Sequence, residues 1–338
     1  MKHQKIILTE DEDVPRFKVL RNHNVESRFH LKENQVITGS GKFAIASILA
    51  HLRKSGVIQD KSMELFVPKW MGQWVYRSML GSVLPATQIS KQTACIYVYH
   101  QFGFLQEIEY LKEFARSKGI PIIEDSAHLL NFQNSNLQNA FLGDYNVSSP
   151  SKFINIPPIS IVETSDPIFI KQVEERKNQE RKVYSQTVLM GRFLLDSTLV
   201  AQTSSIFREK VADLLYASYL TTSRASELAV KRLSTLENEY VIRLHRTNLL
   251  YRNIPNEYLP SRDLKQMYIA PLKVPIFPPK KISQSILSEK QFSKFLIQFD
   301  RNRNMLDPNY VSAFAFPMHS GIPESQFLQR ITEFSKCL

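Results

Sequence analysis

The chain has 338 residues, with 43 Lys and Arg against 32 Asp and Glu, a formal net charge of +11. At roughly 100–200 residues per domain there is room for two domains, and 43% hydrophobic with 22% charged residues excludes a disordered chain. Two cysteines, Cys95 and Cys337, neither in a CxxC pair, exclude a disulfide framework and a thiolate zinc site.

Cysteine usage of this kind points to a reducing compartment, the cytoplasm. Near the N-terminus, Ile6-Ile7-Leu8 is too short for the apolar core of a signal peptide, and Glu10-Asp11-Glu12-Asp13 follows at once. No run reaches about 18 apolar residues, so no membrane partner is expected. Residues 40–53 read as a helix, because Ile45, Ile48, Leu49 and Leu52 recur at helical spacing. Just before it, Gly39-Ser40-Gly41-Lys42 looks like half a phosphate loop, but it lacks the GxxxxGK[ST] spacing. Leu65-Phe66-Val67 is a short apolar run closed by Pro68, and Ile96-Tyr97-Val98-Tyr99 is a second strand. Residues 105–118 follow as an amphipathic helix with Leu105, Ile108, Leu111 and Ala115 on one face and Gly119 at its C-terminal stop. Pro121-Ile122-Ile123-Glu124 is a third strand. Strand, helix and strand within about thirty residues make a βαβ unit, hence a parallel sheet.

From about 168 to 250 the pattern is mostly helical, with a long helix carrying Leu228, Leu233, Leu236, Tyr240 and Leu244. Its densest basic stretch, Glu174 to Lys182, alternates with acid and reads as a solvated helix face. Basic residues elsewhere are scattered and no nucleic-acid module is recognisable, so the positive surplus suits an anionic small substrate better than nucleic acid. Residues 254–285 are Pro-rich, and a shorter α+β segment closes the chain. The expected division is a large domain over 1–250 and a small C-terminal domain over 251–338.

Ligands of open α/β sheets bind beyond the carboxyl ends of the strands. Asp125 immediately follows the third strand, His100 and Gly103 follow the second, and His128 lies just past Asp125. Each has a plain alternative: Asp125 as a helix cap, His128 as a structural imidazole, Lys152 as a solvated surface amine. No set of residues has metal-ligand spacing.

Taken in order, the segments say more. His100-Gln101-Phe102-Gly103-Phe104, Ile122-Ile123-Glu124-Asp125-Ser126-Ala127-His128 and Gly143-Asp144-Tyr145-Asn146-Val147-Ser148-Ser149-Pro150-Ser151-Lys152 resemble the DegT-type sugar aminotransferase family. The likeness is to the branch that writes HxFGF, IEDxAH and GD(F/Y)xxxSLRK. It runs from about residue 36 to the end, is strong between 96 and 152, and reappears in Phe316-Pro317-Met318-His319-Ser320-Gly321, similar to the family's PxHxG tail.

The resemblance implies an aspartate-aminotransferase-like α/β fold of type I with a mostly parallel central sheet, and pyridoxal 5'-phosphate as cofactor. Asp125 then faces the ring nitrogen and holds it protonated, as an electron sink requires. His128 partners the phenolic oxygen, and Lys152 is the catalytic lysine that joins the cofactor. A free lysine titrates near about 10.4, so a pocket must lower its basicity before it can attack. Ser40, Gly41 and Lys42 at a helix start, with the Ser149 hydroxyl, hold the phosphate. Trp70 is expected to stack on the ring, with Trp74 as the reserve. The implied activity moves an amino group from an amino acid, glutamate by resemblance, to a keto sugar, nucleotide-linked in the family's manner, within a homodimer.

Two departures matter. Pro150-Ser151 replaces the Leu-Arg of the family's tetrad. The family follows its lysine with a glycine pair where this chain has Ile159 and Ser160, after a stiff Pro157-Pro158. They fit a remodelled substrate pocket in an active enzyme, or a non-catalytic relative that kept the fold.

Overall fold

The computed structural model describes residues 31–133, 136–137, 143–154, 156, 159–180, 229–230, 232–277 and 297–336. The strands are β1 (Gln35–Thr38), β2 (Glu64–Phe66), β3 (Leu84–Ala86), β4 (Thr93–Tyr99), β5 (Ile122–Asp125), β6 (Leu129–Leu130), β7 (Phe132–Gln133), β8 (Asn136–Leu137), β9 (Tyr145–Ser148), β10 (Ser160–Thr164), β11 (Ala270–Pro271), β12 (Lys273–Ile276), β13 (Ile297–Asp300) and β14 (Tyr310–Pro317). The helices are α1 (Gly41–Lys54), α2 (Gln73–Met79), α3 (Glu109–Lys118), α4 (Pro167–Glu180), α5 (Thr235–Asn253) and α6 (Glu324–Ser335).

Seven strands form the central sheet in the order β1-β10-β9-β5-β4-β2-β3. Neighbours are parallel from β9 through β3, whereas β10 runs antiparallel to both β9 and β1. Because β10 is reversed against both neighbours, β1 points the same way as the parallel strands. Its C-terminus, leading into α1, therefore opens on the same edge as Tyr99, Asp125 and Ser148. The mostly parallel α/β sheet expected from sequence is present.

Both faces of the sheet are covered, so its strands are apolar almost throughout. On one face Val36, Tyr97, Ile123, Val147 and Val162 pack against Ile45, Ile48 and Leu52 of α1. On the other, Ile96, Val98 and Ile122 meet Ile108, Leu111 and Ala115, and Ile37 and Ile161 meet Phe153 and Leu236. Alternation puts Thr38, Tyr97, Tyr99 and Asp125 all on the α1 face.

Local signals explain the helix ends. Ser40 caps α1, its hydroxyl accepting from the Phe43 amide at 3.3 Å. Gly119 closes α3 at φ 64°, where a side chain would be strained. The start of α3 corrects the sequence expectation of a helix from 105. The amides of Leu105, Gln106 and Glu107 bond instead to Gln266 Oε1, His100 Nδ1 and the Arg303 carbonyl. The long helix is also shorter than expected: α5 begins at Thr235, Leu233 sits in the turn before it, and Leu228 lies outside the described residues. It runs through residue 250 to Asn253. In α4, Glu174, Glu175 and Arg176 are exposed, as a solvated face should be.

The C-terminal part builds an antiparallel sheet, β12-β14-β13, under α5 and α6. Its core holds Leu250, Phe299, Phe316, Phe327 and Phe334. The turn after β14, which contains the PxHxG-like tail, is tied to α5 by the buried Arg246 guanidinium, which donates to the carbonyls of Met318, His319 and Ile322. A two-stranded ladder of β11 and β6 crosses to the site loop, pairing Ala270 with Leu130 and Pro271 with Leu129. Immediately after it, the Leu272 amide donates to the carbonyls of both His128 (2.8 Å) and Phe102 (3.0 Å).

Candidate active site

The common edge of β1, β4, β5 and β9 gathers the chemically active side chains. Asp125 ends β5 and is only 4% exposed. Its Oδ1 accepts from the Ala127 amide at 2.9 Å and its Oδ2 from the Tyr97 hydroxyl at 2.5 Å. Burial and the neighbouring Asp125 charge push the Tyr97 phenol well above its ordinary range, so it remains a donor.

His128 and Lys152 meet at this edge. Lys152 lies in a single 3₁₀ turn over Pro150–Lys152, which brings its Nζ to 2.5 Å from His128 Nε2. On the other side of the ring, Nδ1 takes the Tyr99 hydroxyl at 2.8 Å and the Phe102 amide at 3.2 Å. The Phe102 ring stacks on the imidazole, with centroids 5.8 Å apart and planes 21° apart. Tyr99, His128 and Lys152 are all half-buried, so they line accessible space.

The electrostatics favour neutral groups. Burial lowers the Lys152 amine below the usual lysine range; the Asp125 charge opposes this and Lys273 reinforces it. Burial, then the positive charges of Lys152 and Lys273, hold His128 well below its ordinary value. Desolvation of the half-buried Tyr99 and the charge of Asp125 push its phenol well above the ordinary range.

At the head of α1, a Cβ added to Gly41 would meet nothing within 4 Å, so the space before the first turn is open. Thr38 Oγ1, three residues upstream of Gly41 and on the α1 face of the sheet, is buried and makes no hydrogen bond among the described residues. Ser40 uses its hydroxyl as the cap, and Lys42 follows in the first turn. Ser149 is buried, and its hydroxyl donates to the Ile159 carbonyl at 3.4 Å; the Ser151 hydroxyl reaches the same oxygen at 3.2 Å. Ile159 itself is buried.

Thus the structure brings Asp125, His128 and Lys152 to one edge, with Ser149 beside them and Ser40, Gly41 and Lys42 at the adjoining helix start. Trp70 packs its indole on the C-terminal core, the cluster that also holds Phe102, and its main-chain amide donates to the Tyr310 hydroxyl at 3.1 Å. Trp74 opens α2, with its side chain outside the described residues. Sequence reasoning missed Tyr97, Tyr99, Phe102 and Thr38. Two tyrosines at alternate positions ending a strand were the available signal, masked because aromatics in strands read as packing. Among the described residues no group of three or more His, Cys, Asp or Glu could hold a metal ion, and no helix is long and apolar enough to cross a membrane.

No protein-family profile and no curated protein sequence matches the chain. Solved structures do resemble it. A DegT DnrJ EryC1 StrS aminotransferase from Brucella abortus is 12% identical, with 89% of this chain and 86% of that one covered and a TM-score of 0.53. DesV of S. venezuelae, solved in complex with a ketimine intermediate, is 14% identical over 89% and 84% of the two chains, with a TM-score of 0.52. An E. coli GDP-4-keto-6-deoxy-D-mannose-3-dehydratase with bound hydrated PLP is 12% identical over 92% and 88%, with a TM-score of 0.55. At such identities the likeness is one of fold: an α/β chain of the aspartate-aminotransferase-like type I class.

Proposed function

We propose that this protein is a pyridoxal-phosphate-dependent aminotransferase that moves an amino group from an amino acid, glutamate in the first instance, to a keto sugar carried on a nucleotide. The observation that carries the reading is the meeting of Lys152 with a neutral imidazole beside a buried carboxylate, on the strand edge where this fold class binds its ligands.

The residues fit such a cofactor. Each Asp125 oxygen accepts one hydrogen bond, which leaves a lone pair for a protonated ring nitrogen. The open head of α1 offers backbone amides and the positive end of a helix dipole to a phosphate. The Thr38 hydroxyl, which has no hydrogen-bond partner among the described residues, adds a donor there. When bound, the cofactor supplies an electron sink that lets an amino group pass between two carbonyl carbons. Lys152 attacks as a free amine and later holds the migrating proton at Nζ; His128 orients that amine. We place the enzyme in the cytoplasm as a homodimer, in the making of surface-polysaccharide or secondary-metabolite sugars.

A second reading is a binding or regulatory protein on the same fold. It is favoured by one observation: the Ser149 and Ser151 hydroxyls both serve the Ile159 carbonyl, where the family resemblance expects a phosphate donor and a glycine pair.

The test is to add pyridoxal phosphate to the full-length chain and follow visible absorbance. Borohydride reduction and peptide mapping should then place the cofactor on Lys152. Glutamate alone should convert the cofactor to its pyridoxamine form and release 2-oxoglutarate. A protein that binds no cofactor rejects the enzyme reading. One that binds cofactor but ignores every amino donor, even with Ile159→Gly and Ser160→Gly together, favours the second.

A further inference from the structure

His128 has three polar neighbours, and their chemistry leaves it one protonation state. The Phe102 amide is a donor whose hydrogen is fixed by the backbone and points at Nδ1. Nδ1 must therefore present a lone pair, because a hydrogen there would collide with the amide hydrogen. The Tyr99 hydroxyl, held protonated, donates to the same nitrogen. A neutral imidazole with a bare Nδ1 carries its hydrogen on Nε2. That hydrogen faces Lys152 Nζ at 2.5 Å. An ammonium group has no lone pair to receive it; a free amine has one.

We infer that the Phe102 amide and the Tyr99 hydroxyl lock His128 as the Nε2–H tautomer, and that this tautomer accepts Lys152 as its partner only in the free-amine form. Tyr99 and Phe102 are thereby positioning residues for the lysine, acting through the imidazole.

The backbone is shaped for the purpose. Phe102 lies at φ 55°, ψ 9°, a left-handed conformation that strains a non-glycine residue. Gly103 follows at φ 97°, and a Cβ there would come within 2.4 Å of the His128 carbonyl. This pair of turns delivers the Phe102 amide to Nδ1 and lays its ring on the imidazole. The Leu272 amide, bonded to the carbonyls of both Phe102 and His128, holds turn and histidine together. Among the described residues, the charged groups around the pair are Asp125 on β5 and Lys273 on β12. Asp125 favours an ammonium on Lys152 and Lys273 opposes it, so the tautomer supplies a constraint that these charges do not.

The inference concerns the lysine of the proposed function, but it is tested without cofactor, so either can fail alone. Full-length protein freed of small molecules and labelled with ¹⁵N-histidine should show His128 with hydrogen on Nε2 and a bare Nδ1. Neither signal should change between about pH 6 and 8, where an ordinary histidine titrates; His128→Gln assigns the pair by removing them. Competitive acetylation should find Lys152 reactivity staying level to lower pH than that of ordinary lysines, which, with pKa values near about 10.4, fall tenfold per pH unit. Tyr99→Phe removes the shorter of the two bonds to Nδ1 and should cut Lys152 reactivity about threefold on the acid, falling side of its pH profile, the scale of one neutral hydrogen bond. A merely structural tyrosine would change melting and leave this ratio untouched. Hydrogen on Nδ1, an imidazolium in that pH range, or a Lys152 that titrates with the surface lysines overturns the lock. An unchanged Lys152 in Tyr99→Phe removes Tyr99 from it.

Discussion

Tyr97 donates its hydroxyl to Asp125 Oδ2 across 2.5 Å, from a position only 1% exposed. A buried carboxylate thus has a fixed neutral donor on one oxygen and a backbone amide on the other. Asp125→Asn should keep the fold, since an amide oxygen can still accept one of these bonds. It should cost about 2–4 kcal/mol of transition-state stabilisation, the scale for losing one preorganised electrostatic partner. Turnover and melting temperature measured together check this; equal turnover would make Asp125 a structural cap.

Gly103→Ala should be among the most damaging single-methyl changes in the chain. The added carbon would meet the His128 carbonyl at 2.4 Å and Pro271 Cα at 2.7 Å, both main chain, at φ 97°. Backbone strain alone costs about 1–3 kcal/mol, and overpacking adds about as much again. Denaturant unfolding measures the loss. Gly119→Ala is the control, with φ 64° but nothing within 4 Å, and should lose only the strain.

Asp166 gives an acid-side signature. Its Oδ1 caps α4 by accepting from the amides of Ile168 and Phe169, and its Oδ2 takes the Tyr145 hydroxyl at 2.8 Å and His51 Nε2 at 2.7 Å. Burial would raise this carboxyl, but the Phe169 amide, Tyr145 and His51 outweigh it and hold it below 3.8. A carboxyl depressed by folding stabilises the native state above its unfolded pKa, and the gain is lost as pH falls through the folded one. Asp166→Ala should lose about 1 kcal/mol near neutrality. Asp166→Asn keeps a capping oxygen, so its deficit against the parent should vanish as pH falls below 3.8. Urea unfolding over that range tests both.

Cys95 should be inert in the folded protein. It is fully buried in β4, and burial alone pushes its thiol up to about 12. The peptide containing Cys95 should stay unlabelled by maleimide near pH 8 until denaturant is added. Labelling at the rate of a free thiol would contradict the packing of α1 on the sheet.

The βαβ unit was legible because its strands are short β-branched or aromatic runs and its helix has a glycine stop at 119. Asp125, His128 and Lys152 were legible as a pattern, since they lie on two short stretches of chain. The reversed β10 was not legible, because a strand buried on both faces carries no mark of its direction. Nor was the true start of α3: Leu105 and Ile108 keep helical spacing, but the amides around them are claimed by Gln266, His100 and Arg303, partners from remote or irregular parts of the chain. The lock on His128 was hidden for a similar reason. It depends on a main-chain amide, and a phenylalanine in the sequence says nothing of where its N–H will point.

The Leu272 amide is a single proton serving two carbonyls, one on each half of the lock. Opening the C-terminal sheet would withdraw it from His128 and Phe102 in the same event, so the site should fail with that sheet rather than after it. Unfolding of the C-terminal lobe becomes a route to inactivation even while the central sheet stands. Thermodynamic linkage then runs the other way too: a ligand that grips the His128 loop should slow hydrogen exchange at Leu272 and along β12, in a part of the molecule it need not touch.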